Sequence, residues 1–286
     1  MAITTASDLA AGQIAMVGTA RMTYEHRAVC TNIFTRMALG PGEKSMYIPK
    51  FGALPDAADL TDGVDMTQAQ SLTISGTTHT TDEAGIKVII TKKLRSQLKE
   101  DAYRLAGRVV GDSIARKIDK DGLALFSGLS NGLGSASTTF SISYLVAGIT
   151  QLKGQSEPAP EPYACVLHPF TFHQVVKNIS QPGTSNMPPD FQMEKLREYW
   201  RGNDPLYSVP LFIDGNITPD SSDDAYGAIF SKIAFIYLVG WEPENWLEED
   251  KSLRGWEIGV VADYAMVEED DAYGRYLLFD AAKPTS

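Results

Sequence analysis

LRSQLKEDAYRLAGRVVGDSIARKIDKDGLALF, residues 94–126, carries the longest sustained period in the chain. Leu94, Leu98, Ala102, Leu105 and Val109 recur at spacings of four, four, three and four; Val110, Ile114 and Ile118 continue the apolar side with a shift. That is the repeat of a helix with one apolar face. Thr91 stands ahead of it as a candidate cap. The spacing predicts a helix from Lys92 to about Phe126, a rod about 50 Å long at 1.5 Å per residue. Arg104, Arg108, Arg116 and Lys120 form a second row, with Asp112 between them. Gly107 and Gly111 each cost roughly 1 kcal/mol against alanine within a helix, which close packing against a neighbour would explain. A rod of this length needs a broad sheet or a partner to cover it.

Toward the N-terminus, Ile86–Ile90 (IKVII) reads as a β-branched strand. Before it lie two weaker strands, SMYIPKF (Ser45–Phe51), which Pro49 demotes to an edge or an end, and SLTISGTTH (Ser71–His79), which alternates briefly. The polar stretch between them, 52–70, has no period and is rich in Ala, Asp and Gly. An isolated two-stranded ribbon is marginal in water, and loops this long are uncommon unless functional. The ribbon therefore needs something to lie on, and a neighbouring subunit is one candidate. Gly40-Pro41-Gly42 is a break, and Met22–Leu39 has room for a short helix.

Toward the C-terminus the texture changes at FSGLSNGLGSAS (126–137), rich in Gly and Ser and read as irregular. Helices are expected at Tyr144–Lys153, Phe170–Asn178 and Met193–Trp200, with a mobile loop from Ser180 to Gln192. Ala164–Pro169 (ACVLHP) reads as a buried strand closed by proline, and Val209–Asp214 and Ala225–Trp241 supply more strands. Arg254–Ala281 reads as strand, turn, strand.

The 286 residues suit one or two folding units, and 43% apolar residues are enough for a substantial core. Cys30 and Cys165 make no disulfide framework and suit a reducing compartment. The first twenty residues show neither a basic start nor a continuous apolar run, so no secretory signal is read, and Ile233–Trp241 is far too short for a membrane helix. Sequons at Asn178 and Asn216 are chance matches without such a signal. The net charge of −11 argues against a general nucleic-acid surface. It is unevenly spread: Lys87–Lys120 holds ten basic and four acidic residues, a net +6, and Gly128 onward ten basic and twenty-two acidic, a net −12. The first segment is either a solvated helix face or the surface that meets an acidic neighbour.

Catalytic motifs find no support. GLSNG (Gly128–Gly132) matches a nucleophile elbow in letters, but the elbow needs a strand before Ser130 and a helix straight after, whereas a long helix precedes it and a Gly/Ser linker follows. His168 and His173, with Cys165, lack zinc-ligand spacing and read as structural. The acidic runs EPENWLEED (242–250) and VEEDDAY (267–273) lack a calcium-loop order and read as solvated strand ends and turns. No cofactor or metal is expected.

An arm, a ribbon, a long helix and aromatic strands, in that order, resemble the tailed-phage major capsid proteins, which have the Hong Kong 97 type fold. The resemblance covers nearly the whole chain and rests on MYIPKFG, TISGTTHTTDEAGIKVIIT, the long helix, ACVLHPFTFHQVVK and GWEIGVVADYAMVEEDDAYGRYLLFDA. It implies an α+β fold with an N-terminal arm (1–45) and an extended β-loop (46–86). A peripheral domain with a long spine helix would span 87–135 and 243–286, and an axial domain 136–242. The last stretch would return to the peripheral sheet.

The resemblance also implies function. The chain would be a structural subunit, not an enzyme, that self-assembles as hexamers and pentamers into an icosahedral shell around double-stranded phage DNA, bound without sequence specificity. A portal would occupy one vertex. The start at Met1, with no long charged helical prefix, suggests a separate scaffolding protein and no removed leading domain; a decoration protein would be a further partner. The virion, assembled in the host cytoplasm, would be its location, with no membrane contact. Some members of the family weld subunits through a lysine of the extended loop, but no lysine lies between Lys50 and Lys87, so no such weld is expected. Arg104, Arg108 and Arg116 are candidates to meet Asp56, Asp59, Asp62 and Asp65 of a neighbouring loop. The alternatives left open are an encapsulin nanocompartment, a tail or baseplate subunit and, from the residues alone, a serine hydrolase using Ser130 and His168.

Overall fold

The computed structural model of the chain describes residues 29–285 apart from 53, 55, 58, 61, 64, 67, 68, 98–101 and 181–205, and gives no side-chain placement at 95, 97, 102–105, 179 and 180. Two sheets share one folded body. In chain order the elements are helix α1 (Cys30–Ile33) and strands β1 (Thr35–Ala38), β2 (Ser45–Phe51), β3 (Ile74–Thr80) and β4 (Asp82–Thr91). Helices α2 (Lys92–Gln97) and α3 (Ala102–Ala124) follow, then a 3-10 turn at Leu125–Gly128. Next come β5 (Gly132–Gly134), α4 (Ile142–Lys153), β6 (Tyr163–Leu167), α5 (Pro169–Ser180) and β7 (Leu211–Ile213). The chain closes with β8 (Asp224–Ser231), β9 (Phe235–Asp250), β10 (Gly255–Glu268) and β11 (Gly274–Asp280).

The first sheet has the order β1-β9-β10-β4. Even-numbered residues of β10, Ile258, Val260, Ala262 and Tyr264, are buried, as alternation across a pleated strand requires. Val110, Ile114 and Ile118 of α3 share one core with Val260, Ala262 and Tyr264. The second sheet has the order β5-β11-β8-β6-β7. Its other core joins Leu145 and Leu152 of α4, Val175 of α5, Ile229 of β8 and Phe279 of β11. Phe230 of β8 and Phe235 of β9 meet edge to face at 4.9 Å, with Phe34 and Phe126 beside them, so one aromatic cluster ties the two sheets together. Both thiols are buried and free, and burial raises both well above the usual cysteine range.

Several sequence expectations hold within a few residues: the strand expected at Ala164–Pro169 runs Tyr163–Leu167, the helix expected at Phe170–Asn178 runs Pro169–Ser180, that expected at Tyr144–Lys153 runs Ile142–Lys153, and the chain closes as strand, turn, strand. Others need correction. The helical stretch is seen as α2 and α3, with 98–101 outside the described residues. Its buried row is Val110, Ile114 and Ile118, while Val109 is exposed, because the frame that packs on the sheet is the shifted one. Gly107 and Gly111 face open space; the close approach is at Gly122, where an added Cβ would come within 2.8 Å of the Cys30 side chain. The only helix within the described part of Met22–Leu39 is one turn long, followed by β1. The loop at 181–192 and the helix expected at Met193–Trp200 lie outside the described residues.

Four further differences come from pairing that side-chain pattern does not signal. β4 begins at Asp82, since pairing with β10 already holds from Asp82↔Tyr264. The Gly/Ser segment is not wholly irregular, because Gly132–Gly134 pairs in parallel with β11. The acidic run 242–250 is not a strand end but the outer half of β9, held to β10 by backbone bonds while its side chains up to Glu249 stay exposed. Trp246 lies across Gly259, where a Cβ would fall 2.3 Å from the ring. Finally, β11 does not return to the sheet that carries α3; it joins the second sheet beside β8, because Leu277 and Phe279 are buried in the core with α4.

Candidate assembly surface

The β2–β3 ribbon pairs antiparallel from Ser45↔Thr80 to Phe51↔Ile74 and forms a two-stranded sheet of its own. With no third strand, many of its apolar side chains stay in water, while Met46 and Ile48 are half-buried. Tyr47, Phe51 and Ile74 on the strands and Leu54, Leu60, Met66 and Leu72 beyond them are exposed, Leu60 at 70% and Met66 at 69%. Apolar side chains standing this far out of a folded body mark an interaction surface. Fully burying such a side chain is worth about 1.5–3 kcal/mol, so covering the exposed part of each is worth on the order of 1 kcal/mol. Gly76 permits the crossing of the strands: an added Cβ would sit 2.4 Å from the Ile48 carbonyl oxygen and 2.6 Å from the Tyr47 ring.

The ribbon is tied along its length to the acidic turn that follows β10. Lys50 donates to Asp270, and its ammonium lies 5.7 Å from the centroid of the Tyr273 ring. The Asp270 carboxylate holds that ammonium above the usual lysine range. His79, nearly buried, meets Glu269 at 3.0 Å. Thr81, at the exit, donates to Asp263 at 2.9 Å. Sequence reasoning missed these contacts. The run Glu268–Asp271 read as a solvated turn, and its ribbon partners Lys50 and His79 lie 220 and 190 positions away.

The named charged candidates fall as follows. Asp56, Asp59, Asp62 and Asp65 are all exposed, and so is Arg108. Arg116 is half-buried, and the Arg104 side chain lies outside the described residues. Part of the basic segment is balanced within the chain: Lys87 bonds Glu257 at 3.0 Å, Lys92 pairs with Glu249 at 2.7 Å, and Lys117 with Asp121 one turn on at 2.6 Å. These exposed pairs contribute little to stability.

Ser130 is exposed, and its backbone N–H donates to Asp271 at 2.6 Å, in a loop between a 3-10 turn and a short strand. His168 is buried; its Nδ1 accepts from the Phe170 N–H at 3.3 Å, and its ring meets the Phe170 ring edge to face at 4.9 Å. Both positions are accounted for by local structure. Among the described residues no group of three acids, histidines or cysteines is placed to hold a metal ion, and no helix is long and apolar enough to cross a membrane.

No family model and no curated protein sequence matches the chain. Solved structures do. The chain is similar to one from Mycobacterium phage Che8, with a TM-score of 0.72, 14% identity, and 90% of this chain and 93% of that one covered. The capsid of cyanophage P-SCSP1u matches with a TM-score of 0.68 and 12% identity over 93% and 92% of the two chains. The capsid of a native GTA particle matches with 0.66 and 13% over 98% and 100%. The fold is thus the α+β phage-capsid fold expected from the sequence, over essentially its full length.

Proposed function

We propose that this chain is the major subunit of an icosahedral phage shell, a structural protein and not an enzyme, working as hexamers and pentamers around double-stranded DNA. The observation that carries this is the ribbon: a phage-capsid fold from which a two-stranded projection extends, with exposed apolar side chains along both strands and the tip. A second copy is the natural cover. Obligate interfaces bury roughly 2,000–5,000 Å² in total, which a ribbon and an N-terminal arm lying on neighbours would supply.

On this reading, residues 1–45 are the arm and 46–86 the extended loop, with 87–135 and 243–286 a peripheral domain and 136–242 an axial one. The five strands 132–134, 163–167, 211–213, 224–231 and 274–280 favour placing the last strand with the axial part. Arg104, Arg108 and Arg116 meet Asp56, Asp59, Asp62 and Asp65 of an adjacent loop. The acidic C-terminal half keeps the shell wall from trapping DNA. A portal, a separate scaffolding protein and a decoration protein are further partners.

The test is expression of the chain alone and together with the genes beside it, followed by electron microscopy of the high-mass fraction. Closed shells are the expected product, with DNA inside when assembled in an infected cell. Monomers or small oligomers in both preparations, or rings and tubes in place of shells, overturn the reading.

A further inference from the structure

Two carboxyl groups lie together in the interior where the first described residues meet α3. Asp119 of α3 and Asp214, in the turn after β7, are both fully buried. Asp119 Oδ1 accepts the N–H groups of Val29 at 2.8 Å and Cys30 at 3.0 Å, and its Oδ2 accepts from Asn216 Nδ2 at 2.9 Å. Asp214 Oδ1 accepts the Asn216 N–H at 2.8 Å. Its Oδ2 has no donor, although a buried carboxylate oxygen left unpaired costs several kcal/mol.

The orphan has one explanation that the neighbours themselves supply. The Asp119 and Asp214 side chains are close enough to hydrogen-bond each other, and two carboxylates do so only when one carries a proton. Asp119 already takes three N–H bonds, so it is the acceptor; Asp214 Oδ2 is the atom that needs a role, so it is the donor. We propose that the Asp119–Asp214 pair is a proton-dependent latch, which binds one proton between its carboxyls and so holds the Val29–Cys30 turn to α3 and to the 214–216 turn. Three parts of the chain meet there. Val29 is the point from which residues 1–28 depart.

Burial first, and then the Asp119 side chain, push the Asp214 carboxyl up to about 8. The groups facing it are Asp119 from α3 and Asn216 from its own turn; the Cys30 thiol of α1 lies near both acids and is itself raised by burial and by the two of them. Lys117, on the same helix as Asp119, is taken by Asp121. No cation among the described residues contributes to holding Asp214 ionised. The sign follows. When the latch opens, Asp214 returns to water and to an ordinary carboxyl value near 4. Between about pH 4 and 8 opening releases a proton, so it becomes about tenfold easier per pH unit, and above about 8 it levels off. The latch is tight in mild acid and eases toward neutrality.

The experiment is amide hydrogen exchange on the intact chain from pH 5 to 8, corrected for the intrinsic pH dependence of exchange. Protection of Val29 and Cys30 is read against Leu152 in α4, which belongs to the other core. The expected result is a fall of about tenfold per pH unit in that ratio, and its absence in Asp214→Asn, whose amide donates to Asp119 without titrating. A flat ratio in the unmodified chain overturns the latch, as does an equal slope in Asp214→Asn. Should that variant not fold, alkylation of Cys30 relative to Cys165 in the unmodified chain reads the same opening: a ratio that stays constant from pH 5 to 8 overturns the proposal. These readouts concern the subunit itself, so their failure is distinct from a failure to form shells.

Discussion

Lys50 and Asp270 stand 220 positions apart and form an ion pair near the end of β2 that leads into the 52–73 loop. Beside them His79 meets Glu269, so consecutive acids of one turn hold both strands of the projection. The ribbon is a sheet of two strands, which is marginal on its own. Its direction therefore depends on these few polar ties. With Lys50 half-exposed, its pair is worth ~1 kcal/mol or less to global stability. The double variant Lys50→Ala, Asp270→Asn is expected to keep its unfolding midpoint nearly unchanged. Exchange of the Ile74–Thr80 amides should rise severalfold. Unchanged protection of that strand would show that this tie does not set the ribbon.

Gly76 sits opposite Pro49, where the partner strand leaves no room for a side chain. An alanine methyl there would have to displace the Ile48 carbonyl or the Tyr47 ring. The first is backbone and cannot yield without breaking the pairing at Pro49↔Gly76. Gly76→Ala should loosen the ribbon and lower the yield of shells, while the far-UV circular dichroism of the subunit stays unchanged, because neither core includes the site. Normal shell yield from this variant would contradict the argument.

How far the sequence could be read depended on whether an element declares itself through its own side chains. β6 and α5 did: a fully buried apolar run, then a proline at the first helical position, are local signals. The outer half of β9 did not. Glu242, Glu244, Glu248 and Glu249 are exposed, so no alternation marks the strand, and its existence rests on backbone bonds to β10. β5 is hidden for the same reason, being three residues that borrow order from β11. Val109 and Val110 show a third limit: a helix with two candidate apolar rows offers both, and only the sheet beneath decides which is buried. At the candidate surface the ribbon itself was legible from its length and poor strand pattern. The ties that hold it to the turn after β10 were not, since long-range pairs of charged residues leave no periodic trace.

Four phenylalanines link the two sheets. Phe126 is fully buried, with ring centroids of Phe34, Phe230 and Phe235 at 6.5, 5.6 and 5.7 Å. Phe126→Ala removes a large side chain from a site walled by other rings, which cannot collapse into the space. A loss of about 3–5 kcal/mol is expected in denaturant unfolding. A loss below about 1 kcal/mol would mean that the two sheets are not joined through this cluster.

The charge of the long helix supplies the most direct test of assembly. Lys87, Lys92 and Lys117 have acidic partners within the chain, whereas Arg108 is exposed on α3. The ribbon tip carries Asp56, Asp59, Asp62 and Asp65, all exposed, among leucines and a methionine that are also exposed. A tip of that composition fits a cationic helix on a second copy, with apolar contact giving affinity and charge giving register. Reversing Arg104 and Arg108 together to glutamate should leave a folded monomer by circular dichroism, Arg108 being exposed, and should block shells by like-charge contact with the tip. Restoring the complement, with lysine at Asp59 and Asp62 in the same chain, should recover part of the yield. Shells that form normally from the double reversal would sink the contact between helix and tip while leaving the shell reading in place. Loss of shells without rescue by the lysines would instead place the two arginines against some other partner.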